Sequence, residues 1–399
     1  MATKAGDDPE SLMSLCTVFC LKNLRRTMCY MGERNQLCLR PDIFLPSEIC
    51  DKLVNVYVEL VHTDSEFEPQ DGFFQLFSDP HSTRLSRLHL REDVVRDRDL
   101  KAISKQDLME LHLTCCNHLS NRSLCTLRKF RHTLVSLSLF GCSSIFFPKS
   151  STEDDEDDDE DDEVLCDGTN FSFQGFRRLC MLNVGQLPVN VDPERLLKPL
   201  DTLRVLDLSS AHLPRPSFLT KWREQLAALV LYNVDVNEEL ITTVLQMSRL
   251  RHLDISREGQ RSSKFKLTRK ILTNIVQSLG NLVSLDISGH VMLDNCTVPY
   301  MEEAMGPAST DPCKSSIYPF QGLKRPLQFL GLYNTTLCNV THIPAFKVKN
   351  LTDRQNNSLM LYSLICSVPS KGHRINSPVQ QQFQFSVSLH NAARSSRQK

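Results

Sequence analysis

The fold class that this sequence predicts is α/β, a solenoid of stacked repeats, and three observations carry that prediction. The pattern L-x-x-L-x-L, its last place open to any aliphatic, begins at Leu85, Leu108, Leu134, Leu179, Leu203, Leu226, Leu250, Leu282 and Leu327. Most intervals are 23 to 26 residues, the period of a unit too small to bury its apolar face without neighbours. The stretches between these strand-like hexads carry a helical apolar period. About nine leucine-rich repeats are expected over residues 80–348.

Each hexad predicts a short strand whose leucines alternate into a shared core. In Leu267 to Leu279, Ile271, Leu272, Ile275, Val276 and Leu279 fall on one helical stripe, and Gly280 supplies a stop. Short parallel strands alternating with helices predict a right-handed solenoid with the sheet on its concave face. The central outward strand position reads His89, His112, Ser138, Asn183, Asp207, Val230, Asp254, Asp286 and Gly331. Asp207, Asp254 and Asp286 there predict either local hydrogen bonding at the strand ends or an acidic concave stripe for a basic partner.

Two gaps of 45 residues interrupt the period. The first holds eleven consecutive carboxylates, Glu153 to Glu163. Such a run repels itself, so a solvated, disordered insertion is expected over 149–168. The second holds the Pro/Ser/Lys-rich stretch Pro307 to Ser316. With the eleven carboxylates set aside, the 47 acidic residues fall to 36 against 46 basic ones, so the rest of the chain carries about +10. The run therefore reads as a tolerated surface insertion or as a sleeve for basic, including nuclear, proteins.

Residues 8–61 precede the repeats and are helical in pattern. Asp8 suits a cap and Pro9 the first helical position. Leu12, Leu15, Cys16, Phe19 and Cys20 then follow at helical spacing. A second helix is expected from Pro46, with a stripe of Ile49, Leu53, Val56 and Leu60.

Ser11-Leu-Met-Ser-Leu-Cys16-Thr-Val-Phe-Cys20 resembles the elongin-binding box: a small residue or Pro, Leu, three residues, Cys, three residues, an aliphatic. Ser11, Leu12 and Cys16 match, and Cys20 departs. Leu45-Pro46-Ser-Glu-Ile49-Cys-Asp-Lys-Leu53 resembles the cullin-2 box, with all four defined positions matched. Together with DIFLPSEICDKLV, STRLSRLHLRED, TLVSLSLFGC, LRHLDIS, NLVSLDISGH and KRPLQFLGLYN, these residues make the chain resemble the Zyg-eleven family over roughly residues 8 to 348. The resemblance implies a substrate receptor of cullin-2, elongin B/C ubiquitin ligases. It places Ser11, Leu12, Leu15, Cys16 and Phe19 on elongin C, and Leu45, Pro46, Ile49 and Leu53 toward cullin-2. In that family, armadillo-like repeats following the leucine-rich repeats recognise proteins that expose an N-terminal glycine. Here the likeness stops at Ala345-Phe-Lys-Val348. Residues 349–399 are rich in Gln, Ser and Asn, and are expected to form a divergent, disordered tail in place of the degron-reading domain.

The composition excludes other classes. Hydrophobic residues make up 41% and charged ones 23%, ordinary for a folded protein. The polar start MATKAGDDPE predicts no secretory signal, and no apolar run is long enough to span a bilayer. The 15 cysteines include no Cys-x-x-Cys, and most sit in apolar patterns, as at Cys16, Cys50, Cys142 and Cys180. Reduced core thiols are expected, in cytoplasm or nucleus, with no metal and no cofactor. No nucleophile elbow, phosphate-binding loop or H-E-x-x-H occurs, so no enzyme activity is expected. Protein substrates are the expected partners, with neither nucleic acid nor membrane. The competing reading is a ligase-independent interaction protein that binds basic nuclear proteins.

Overall fold

Leucine at alternate strand positions decides the architecture, because the side-chain period of two sends every second residue to one face. The computed structural model describes residues 12–32, 36–147, 171–257, 267–290 and the strand Phe329–Gly331. Ser11, the carboxylate run Glu153 to Glu163, the Pro307 to Ser316 stretch and the 349–399 tail lie outside the described residues. The chain divides into two compact units, Met1–Arg178 and Leu179–Lys399.

The first unit begins with helix α1 (Leu12–Lys22) and a short α2 (Leu24–Thr27). An antiparallel pair follows, β1 (Cys29–Met31) with β2 (Leu37–Leu39), then the long α3 (Ser47–Thr63). The 8–61 segment is therefore not helical throughout: β1 and β2 interrupt it. Three parallel strands follow, β3 (Arg87–Arg91), β4 (Glu110–Thr114) and β5 (Ser136–Phe140), returning through α4 (Asp97–Ala102) and α5 (Arg122–Lys129). Leu88, Leu111 and Leu137 stand in register and are buried. Gln106 closes the entry to this stack. Its Oε1 accepts from Leu85 N at 2.8 Å, and its Nε2 donates to Phe77 O at 2.7 Å.

The second unit holds β6 (Met181–Asn183), α6 (Pro193–Leu197), β7 (Val205–Asp207), β8 (Ala228–Val230), α7 (Glu238–Val244), β9 (His252–Asp254), α8 (Arg269–Ser278), β10 (Ser284–Asp286) and β11 (Phe329–Gly331). These strands pair in parallel and in sequence order. Leu206, Leu229, Leu253 and Leu285 form the buried row. In α8, Leu272, Ile275 and Val276 are buried along the expected stripe, and Thr268 caps the helix by accepting from Ile271 N at 3.3 Å.

Two devices repeat with the period. The residue seven places after the first leucine takes a left-handed backbone in seven repeats, at Glu92, Cys115, Gly141, Gln186, Ser210, Asn233 and Gly289, though not at Arg257. This turns the chain out of the strand. At Gly289 the turn is tight enough that a Cβ would lie 2.2 Å from Arg257 O, so only glycine fits. One place further, a side chain reaches back to the preceding repeat: Cys116 Sγ to Leu90 O at 3.8 Å, and His290 Nε2 to Ile255 O at 2.6 Å. These are the rungs of a ladder that satisfies strand-end carbonyls.

Candidate functional site

Helix α1 presents its apolar residues to solvent. Leu12 is 76% exposed and Phe19 61%, with Met13, Leu15 and Cys16 also exposed. Residues 12, 15, 16 and 19 recur at helical spacing, so they form one continuous stripe. The opposite face, with Thr17 and Leu21 buried, seats the helix. Polar contacts fix it against α3. Lys52 Nζ donates to Ser14 Oγ at 2.9 Å, and Lys22 Nζ lies 2.7 Å from Asp64 Oδ2. The hydrogen bond of that pair holds the Lys22 ammonium above, and the Asp64 carboxyl below, their ordinary ranges.

Cys16, expected as a small core hydrophobe, is an exposed thiol, because the stripe that carries it faces outward. Cys50 and Cys142 are buried and Cys180 is half-buried. Burial pushes the Cys50 thiol up to about 12, which leaves it unreactive.

The second helix begins where Pro46 predicts. Its buried face is Cys50, Leu53, Val54, Tyr57 and Val58, displaced from the expected Ile49, Leu53, Val56, Leu60 stripe. Aromatic packing sets that face: the Tyr57 ring stacks on Phe73 with centroids 3.7 Å apart. Asp51 anchors it too, accepting from Ser86 N at 3.0 Å and Arg87 N at 3.1 Å while burial raises its carboxyl. Leu53, expected toward a partner, is 5% exposed and belongs to the core. Pro46 is exposed, and Leu45 and Ile49 are half-buried. The Leu45 backbone is pinned by Leu45 N donating to Ser82 O at 2.9 Å and Arg84 N donating to Leu45 O at 3.2 Å. Phe44, which the sequence reading passed over, stands exposed beside this corner under the Arg84 guanidinium.

The acidic concave stripe is overturned. Asp207 is 3% exposed and Asp254 9%, and each Oδ1 accepts from the backbone N–H two residues on, Ser209 at 2.9 Å and Ser256 at 2.8 Å. Asp286, half-buried, does the same with Ser288 N at 2.9 Å, as Asn183 does with Gly185 N at 2.9 Å. These are Asx turns that close each strand. Apolar residues on these strands, Val205, Ala228 and Val230 with Met181, cluster with Tyr232 just beyond β8. Among the described residues, no helix is long and apolar enough to cross a membrane.

Comparisons with known proteins agree with the leucine-rich-repeat architecture. A family model described as Zer-1-like, leucine-rich repeats, matches residues 194–335. The chain is 56% identical to the human protein zer-1 homolog over 348 residues, 86% of this chain and 45% of that protein. The mouse protein zer-1 homolog is 54% identical over 361 residues, 86% of this chain and 46% of that protein. Zyg eleven-related protein 1 of Caenorhabditis elegans is 31% identical over 173 residues, 42% of this chain and 19% of that protein. The chain spans less than half the length of these curated relatives.

Proposed function

This chain belongs to the Zer-1/Zyg-eleven family of leucine-rich-repeat proteins, and from that premise we propose that it is a non-catalytic substrate receptor of a cullin-2, elongin B/C ubiquitin ligase. The observation that carries the proposal is the outward apolar stripe of α1, Leu12, Leu15, Cys16 and Phe19. An apolar surface of this kind marks an interaction site. In this reading Leu12 and Cys16 enter an apolar pocket of elongin C, and Phe19 extends the contact. Phe44, Leu45, Pro46 and Ile49, at the start of α3, face cullin-2. Leu53 acts only by holding the helix.

Such a receptor needs no catalytic group, because its contribution is to hold a substrate near the charged ubiquitin carrier. It would work in cytoplasm or nucleus, where these thiols stay reduced. The resemblance points to proteins exposing an N-terminal glycine as the substrate class, and none of the described residues is assigned to read them.

The test uses the full chain with purified elongin B/C and cullin-2. Wild type co-elutes with elongin B/C, and Leu12→Asp elutes separately, because a charge buried at the pocket without a partner costs several kcal/mol. Phe44→Asp retains elongin B/C and loses cullin-2. Retention of elongin C by Leu12→Asp at the wild-type level sinks the docking assignment.

A further inference from the structure

Strands β3 and β4 place three metal-ligating side chains together on the face opposite the leucines. Their register sets His89 beside His112, and Glu110, two residues before His112, shares that face. The two imidazoles stack with centroids 4.5 Å apart. His89 Nε2 lies 3.8 Å from Glu110 Oε2. One ligand atom from each of the three residues lies within 4.8 Å of the other two.

Burial makes this cluster unusual. The His89 and Glu110 side chains are each 9% exposed, and His112 is buried. Among the described residues, neither His89 Nε2 nor Glu110 Oε2 has a hydrogen-bond partner. At 3.8 Å their mutual distance is too long for one. Elsewhere on this face of the repeats, Asn183, Asp207, Asp254 and Asp286 each close their own turn. His89 and Glu110 have no such local use, and a buried donor or acceptor left unpaired is costly. The buried His252 and Ser284 side chains also lack partners, but no cluster of three metal-ligating side chains gathers at either among the described residues.

We propose that His89, Glu110 and His112 bind a zinc ion. Two imidazoles and a carboxylate are borderline donors of the kind zinc takes. A tetrahedral ion about 2.1 Å from each ligand sets the ligand atoms about 3.4 Å apart, so closing the site requires the two stacked rings to turn out of their parallel arrangement and the ligand atoms to approach by about 1.4 Å. Ser136 Oγ, 2.9 Å from His112 Nε2, orients that ring as an outer-shell partner. Three protein ligands leave one position to water or to a donor from a bound protein. The ion gives the cluster a role that no spacing motif signals.

The rival occupant of the gap is a proton, pairing His89 with Glu110 and excluding metal. The test takes the full chain, stripped with chelator, and titrates zinc in competition with a chromophoric chelator. The expected result is one equivalent bound, with affinity falling at least about tenfold in His89→Ala and in Glu110→Gln, the lower end of what even an outer-shell loss costs. Cobalt(II) in the same site gives visible bands without the near-ultraviolet charge transfer of a thiolate ligand. At one zinc concentration, zinc raises the thermal midpoint of wild type more than that of Glu110→Gln, each measured from its own metal-free midpoint. Absence of a stoichiometric ion, a thiolate signature, or binding untouched by both substitutions overturns the site.

Discussion

Helix α1 and strand β9 reverse the usual distribution of polarity in opposite directions. In α1, leucines and a phenylalanine face water. In β9, His252 and Asp254 lie in the interior. Residue hydrophobicity alone predicts neither. For Asp254 the difference is a supply of partners within the chain, whereas neither ring nitrogen of His252 has a hydrogen-bond partner among the described residues. Asp254 makes its own turn with Ser256 and so is buried at little cost. The stripe of α1 has no counterpart among the described residues. A buried carboxylate with local donors is structural, whereas an apolar helix face left in solvent points outside the molecule.

The largest effect separating the two regions comes from acid. Burial, and secondarily the neighbouring Arg251, pulls His252 down to about 4 from an ordinary 6.5. As pH falls from 6.5 toward 4, the unfolded chain takes up a proton that the folded one refuses. Stability contributed by the neutral ring is then lost progressively, on the order of 3 kcal/mol at the lower end. Urea unfolding across that window measures it. The gap between wild type and His252→Leu stays constant above pH 7 and changes below 6.5, and a constant gap throughout refutes the assignment.

A smaller effect is expected at Asp254. Asp254→Ala leaves Ser256 N–H without its acceptor and lowers stability by about 1–2 kcal/mol, read as a shift of the urea midpoint. The smallest belongs to α1. Leu12→Asp, at a position already in solvent, changes stability by less than about 0.5 kcal/mol. A large loss there means that Leu12 packs within the chain, and the contrast between the regions fails.

The sequence made the repeat rows legible, because Leu206, Leu229 and Leu253 recur at intervals of 23 and 24 residues, the period of stacked leucine-lined strands. It also located the stripe of α8. It left the left-handed turn position hidden, since glutamate, cysteine, glutamine, serine and asparagine occupy it as well as glycine. Strands β1 and β2, three residues each, are too short to show a period. The α3 face moved because Tyr57 found Phe73, a contact set 16 positions along the chain. His89, Glu110 and His112 come from two repeats, so no local motif joins them. In α1 the spacing revealed the stripe while leaving open which way it faced.

That direction is the central claim, and Cys16 reports on it. Its thiol is exposed in the middle of the stripe, whereas Cys125 and Cys180 are half-buried elsewhere and serve as references. Alkylation of each cysteine, followed by peptide mass with and without saturating elongin B/C, reads the footprint directly. The account predicts that Cys16 alkylation slows at least about tenfold on binding, as burial of an exposed group requires, while Cys125 and Cys180 keep their rates. An elongin B/C complex in which Cys16 reacts as fast as in the isolated chain contradicts it.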